Sequence, residues 1–128
     1  AALSDLARTT GRLTGAAIEF KEGGDTRVDE PETAMHLYRI AQEAVANAVR
    51  HGKATHLSIS LEHLGSEILL IIDDNGTGLD SLKAGRTDGM GLRTMRYRAQ
   101  ALGATIEFRA APEGGTRVLC RLPIQPKA

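Results

Sequence analysis

The chain has 128 residues, 41% of them hydrophobic, with 16 basic side chains balancing 16 acidic ones for a formal net charge of zero. That is one domain with enough apolar material for its own core, and its charge gives no general pull toward nucleic acid or an anionic membrane surface. Aromatic residues are 3% of the chain with no Trp, which excludes base-stacking platforms, and no apolar run approaches the roughly 20 residues that span a bilayer.

Leu3, Leu6, Ala7 and Leu13 recur at helical spacing, with Gly15 as the stop. Ala17 to Lys21 alternates as a strand does, and Glu22 to Asp25 turns. Pro31 opens a long helix whose apolar side is Ala34, Leu37, Ile40, Ala41, Ala44, Val45 and Ala48, closed by Gly52. Leu57, Ile59 and Leu61 form a strand that turns at Leu64, Gly65 and Ser66 into the run Ile68 to Ile72, which ends in Asp73 and Asp74. Residues 80–88 lack periodicity and read as a mobile loop. Leu92, Met95, Ala99 and Leu102 mark a further helix ending at Gly103. Thr105 to Phe108, a turn through Pro112, Glu113, Gly114 and Gly115, and Thr116 to Leu122 make a closing hairpin; residues 125–128 are expected to fray. The elements predict an α+β fold, a two-layer sandwich with about three helices on one face of a mixed, roughly five-stranded sheet. Cys120, the one cysteine, falls in an alternating strand and reads as a small buried residue in a reducing, cytoplasmic setting. The start at Ala1 rather than Met is expected of a piece of a longer protein.

Three clusters carry chemistry. Glu43, Asn47 and His51 follow at four-residue steps on the long helix, stacking a carboxylate, a carboxamide and an imidazole on one face. A carboxamide oxygen is a suitable ligand for Mg2+, which takes one or two protein ligands and completes its shell with phosphate and water. Glu43, one turn away, is within reach of a metal-bound water or a proton. Taken alone, Asn47 is more simply read as a hydrogen-bonded core amide, although Asn is a poor helix former, which shifts the balance toward a specific role. In the second cluster, Asp74 is followed by Gly76 and Gly78, which let backbone approach a ligand closely. A carboxylate at the end of a buried strand needs a donor. Adenine's exocyclic amine is one, whereas guanine presents a carbonyl oxygen there. The plainer alternative is that Asp73 and Asp74 only cap a strand and its turn. In the third, Gly89, Met90, Gly91 and Leu92 open a helix whose free N–H groups and dipole suit a triphosphate. Lys53 is a further candidate for phosphate contact, whereas Arg50 reads more readily as a solvated cation. An amide for a metal, a carboxylate for a base and a glycine cradle for phosphates together describe an ATP site.

Other nucleotide and metal motifs are absent. No Gly-x4-Gly-Lys-Ser/Thr occurs, and Ser81 and Thr94 stand where a dinucleotide fingerprint needs its third glycine. His36, His51, His56 and His63 fit no common zinc spacing; His56 and His63 flank a strand and read as solvated.

The run Leu37 to Ala44 with Asn47 and His51 to Ala54 resembles the N-box of bacterial sensor histidine kinases, most of all the nitrate-sensor type. Asp74 to Leu79 resembles their G1 box, Gly89 to Ala99 their G2 region, and Gly114, Gly115 and Thr116 their closing hairpin. The resemblance covers nearly the whole chain, in order, and departs from the usual pattern only in Gly52 for Ala and Leu79 for Phe. It implies a Bergerat-type ATP-binding fold and a single catalytic domain over residues 1–124. In it Asp74 reads adenine beside Gly76, Gly78 and Thr116, and Asn47 binds Mg2+ with Glu43 assisting metal or proton transfer. Gly89 and Gly91 line the triphosphate in it, while His51, one turn beyond Asn47 on the same face, and Lys53 are candidates for phosphate contact from the residues themselves. It also implies a partner dimerisation domain that carries the acceptor histidine, which nothing before Leu3 supplies, and a downstream response regulator. No nucleic acid partner and no direct membrane contact are expected of this domain, which would lie in the cytoplasm with or without a membrane anchor elsewhere in its parent. Three other readings share parts of the pattern: an anti-sigma-factor-type serine kinase, a chaperone- or topoisomerase-type ATPase in which Glu43 activates water, and a degenerate domain that only makes contacts.

Overall fold

The computed structural model describes residues 2–77, 92–112 and 114–124. In chain order these form α1 (Ala2–Thr14), β1 (Ala17–Gly23), α2 (Pro31–Arg50), β2 (His56–Leu64), β3 (Glu67–Asp74), α3 (Leu92–Ala101), β4 (Thr105–Ala110) and β5 (Thr116–Pro123). The strands make an open sheet in the order β1-β2-β3-β5-β4, parallel between β1 and β2 and antiparallel elsewhere. The parallel pair is joined through α2, as a parallel connection requires a crossover. This is the α/β sandwich expected, with three helices and five strands among the described residues. The loop at 80–88 and the tail at 125–128 lie outside them.

One sheet face is buried. Leu57, Ile59 and Leu61 of β2, Ile68, Leu70 and Ile72 of β3, and Val118, Cys120 and Leu122 of β5 pack with the apolar stripes of the three helices. Ile40, Ile59, Leu70, Ile72 and Met95 are fully enclosed, so truncating any one to Ala removes about 2–5 kcal/mol. Cys120 is as buried as expected, and desolvation pushes its thiol up to about 11, which leaves it unreactive at neutral pH.

Two helical residues depart from the predicted stripes. Leu13 is 80% exposed, and burial in α1 is confined to Leu3, Leu6 and Ala7. Ala34 is exposed in the first turn of α2, whose buried side begins at His36 and Leu37. In both helices the periodicity continues past the part that other elements cover. His63 also differs from expectation: it lies inside β2, half-buried, with Nδ1 2.7 Å from the carbonyl oxygen of Asp25.

Candidate functional site

Strand alternation decides the fate of the two adjacent carboxylates at the end of β3. Asp74 shares the helix-side face with Ile68, Leu70 and Ile72, and is 7% exposed. Asp73 points to the other face, where its register partner on β5 is Arg117. Arg117 Nε and Nη2 donate to the two oxygens of Asp73 at 2.7 and 2.8 Å, a bidentate pair that satisfies that charge within the sheet. Among the described residues Asp74 has no such cation. Its Oδ1 accepts the backbone N–H of Gly76 at 2.8 Å and that of Thr116 at 3.2 Å. None of the described residues reaches Oδ2. Burial pushes the Asp74 carboxyl above its usual range, partly opposed by those two N–H groups, while neighbouring Asp73 adds to the rise.

The turn after Asp74 is pressed onto the end of α2. Thr77 N–H donates to the Gly52 carbonyl at 3.0 Å, and a Cβ on Gly76 would stand 2.5 Å from that same oxygen. Gly52 in turn donates its N–H to the Asn47 carbonyl at 3.0 Å, as does His51 at 2.9 Å. Lys53 then takes a left-handed backbone, φ 53°, which reverses the chain away from α2 and costs a non-glycine residue of the order of 1 kcal/mol. Asn75 ties the turn from the other side: its Oδ1 accepts from the N–H groups of Thr55 at 2.9 Å and His56 at 3.0 Å. A continuous chain of hydrogen bonds therefore runs from the last turn of α2 through Gly52 and the turn to Asp74 and on to Thr116.

Asp74, Gly76 and Thr116 are joined by hydrogen bonds, and the turn is tied through Gly52 to the end of α2. Glu43 and Asn47 stand one turn apart on α2, both half-buried, with Glu43 lining a separate groove toward α3. His51 is exposed at the end of α2 and Lys53 is exposed just beyond it. Thr116 acts through its backbone N–H, and Leu92 is a core residue at the start of α3. Gly78, Gly89, Met90 and Gly91 lie outside the described residues.

A comparison with protein families matches residues 32–126 to the histidine kinase-, DNA gyrase B- and HSP90-like ATPases. The chain belongs to this ATPase family. It is 39% identical over 89 residues to the sensor protein VraS of Staphylococcus saprophyticus, covering 70% of this chain and 25% of that protein. Over 122 residues it is 29% identical to the histidine-protein kinase/phosphatase DegS of Brevibacillus brevis, covering 95% of this chain and 31% of the relative. The chain thus spans about a quarter to a third of these curated relatives. Among solved structures, the ATP-binding domain of PrrB from Mycobacterium tuberculosis is similar at a TM-score of 0.76 and 26% identity, over 98% of this chain and 93% of that one.

For a member of this ATPase family the donor set at the end of α2 fits Mg2+ held chiefly by phosphates. It offers a carboxamide and one nearby carboxylate, and among the described residues no three His, Cys, Asp or Glu side chains converge into an all-protein cage. Sequence reading did not single out Gly115 or Asn75 as parts of the site. Gly115 is buried, and a Cβ there would collide with the backbone oxygen and Oδ1 of Asp74. The glycine pair before Thr116 was the available signal.

Proposed function

We propose that the chain is the catalytic, ATP-binding domain of a bacterial two-component sensor histidine kinase of the nitrate-sensor type. It holds Mg·ATP and passes the γ-phosphoryl group to a histidine on a separate dimerisation domain, from which a response regulator receives it. The observation that carries this reading is the buried carboxylate of Asp74, with one oxygen fixed by Gly76 and Thr116 and the other met by none of the described residues. That arrangement suits the exocyclic amine of adenine and disfavours the guanine carbonyl. Asn47 supplies an oxygen for Mg2+, whose charge offsets that of the phosphates when bound. Glu43 lies one helical turn away, placed to accept a proton from the incoming nucleophile or to orient a water that Mg2+ would hold there. Lys53 and His51 lie at the exposed edge where the phosphates would run. Gly89, Met90 and Gly91, with the backbone N–H of Leu92 at the start of α3, would form the phosphate cradle. Phosphoryl transfer asks for positioning and charge stabilisation more than covalent chemistry, so one domain can hold the nucleotide while another presents the acceptor. His36 does not serve as that acceptor, being buried in α2 with Nδ1 facing Arg98 Nη1 at 3.2 Å. The runs Tyr38 to Glu43 and Met95 to Arg98 favour a sensor kinase over an anti-sigma-factor-type serine kinase. A cytoplasmic location follows from the same reading, and among the described residues no helix is long and apolar enough to cross a membrane.

Calorimetric titration with a non-hydrolysable ATP analogue and Mg2+, run beside the guanine counterpart, tests the proposal. The adenine ligand is expected to bind at least ~100-fold more tightly, since a buried polar group left facing the wrong partner discriminates by about 10²-fold or more. Binding of neither ligand would return the domain to the contact-only reading. Incubation with radiolabelled ATP is expected to leave this domain unlabelled. Stable incorporation would overturn the division between nucleotide holder and acceptor.

A further inference from the structure

A groove of about 600 Å³ runs between α2 and α3, separate from the strand-end pocket around Asp74. Its α2 wall includes Met35, Arg39, Glu43 and Arg50, and its α3 wall includes Met95 and Arg98. Three arginines face one carboxylate, so the groove is cationic. Among the described residues its cations are not spent on ion pairs with carboxylates: Arg39 donates to the neutral amide of Gln42 at 2.8 Å, and Arg98 faces the imidazole of His36. Among the described residues neither Arg39 nor Arg50 pairs with a carboxylate, and both are exposed. Met95 is fully buried at the groove's base, while Met35 is 45% exposed at its mouth, where it offers a flexible apolar contact. Glu43, the residue proposed above to meet the incoming nucleophile, lines this groove.

We infer that this groove is the surface on which the acceptor-bearing helix docks, and that it selects a helix with an acidic face beside an apolar position. The inference rests on the function proposed above and adds to it the location and chemistry of the partner contact. A helix laid between α2 and α3 places its acidic side chains against Arg39 and Arg50 and an apolar side chain on Met35, which brings a histidine of that helix to Glu43. The charge complementarity steers encounter and fixes orientation more than it adds affinity. It also disfavours two other occupants, a basic segment and a second copy of this cationic groove.

The test uses the full-length kinase that carries this domain. Arg39→Glu is expected to lower the autophosphorylation rate at least ~10-fold, with affinity for the non-hydrolysable ATP analogue within about twofold of wild type, as expected for loss of a docking charge outside the nucleotide site. Arg39→Lys retains the charge and is expected to recover most of the rate. A photoreactive benzoylphenylalanine in place of Met35 is expected to cross-link to the helix bearing the acceptor histidine. Wild-type rates in Arg39→Glu would overturn the inference, as would a parallel loss of nucleotide affinity or cross-linking of position 35 to a different partner. Failure of the wild-type domain to bind nucleotide at all would instead overturn the underlying functional reading, so the two failures are distinguishable.

Discussion

Asp74→Asn is expected to abolish discrimination for adenine and weaken binding of the ATP analogue by about 10²-fold, while leaving the domain as stable as wild type or more so. Both parts follow from the same environment. A hydrogen bond to an ionised acceptor contributes roughly 1.5–3 kcal/mol, and the Asn amide presents N–H donors where the adenine amine needs an acceptor. The fold does not need the charge. Asn retains an oxygen that can accept from Gly76 and Thr116, the two contacts Asp74 makes on Oδ1. Burial raises the carboxyl above its ordinary value of 3.8, so the native state binds the proton more tightly than the unfolded chain. Between the unfolded and folded pKa the native state therefore holds more protons, and stability falls as pH rises through that interval. Above it the full cost of keeping a buried carboxylate ionised is present, and a neutral amide removes it. Thermal melts of wild type and Asp74→Asn should thus converge in acid and separate toward neutral pH, with the variant equal or higher. A variant that loses nucleotide and also melts well below wild type at pH 7 would show that Asp74 is structural rather than a ligand reader.

The elements were legible because they depend on local periodicity and on the glycines that close them, and the proposed site was legible only as motifs along the chain. Alternation in Leu57, Ile59 and Leu61 gave the buried side of β2 directly. In β3 it gave nothing, because Ile68 to Ile72 is apolar at every position. No pattern there tells which of Asp73 and Asp74 faces the helices. That depends on register with β5, which sets Arg117 opposite Asp73 across 44 positions of chain. The same limit hid Gly115 and Asn75, whose partners lie 41 residues away at Asp74 and about 20 away at Thr55 and His56. Leu13 and Ala34 failed in the opposite sense. Their spacing is correct for the helix, but spacing alone does not report where the covering elements end.

The second large effect is expected at Gly115. Replacing it by Ala places a methyl group on the backbone oxygen and Oδ1 of Asp74. Neither atom can move aside cheaply, because the first is held in the β3 backbone and the second accepts two backbone hydrogen bonds. The hairpin of β4 and β5 must then shift away from the end of β3, and Thr116 N–H loses its place on Asp74. Overpacking of this kind costs on the order of 3 kcal/mol, which for a domain of this size lowers Tm by roughly 10 °C. Nucleotide affinity should fall with it, since the carboxylate loses one of the two contacts that orient it. Gly23→Ala serves as the comparison: there the added methyl meets only the Glu62 Cγ, at an ordinary 3.7 Å. That variant is expected to melt within a few degrees of wild type and to bind the analogue normally. Gly76→Ala should resemble Gly115→Ala, because its methyl would press on the Gly52 carbonyl and separate the turn from the end of α2. If Gly115→Ala kept both its melting temperature and its affinity, the close seating of the hairpin on Asp74 would be wrong, and with it the route by which β5 orients the base-reading carboxylate.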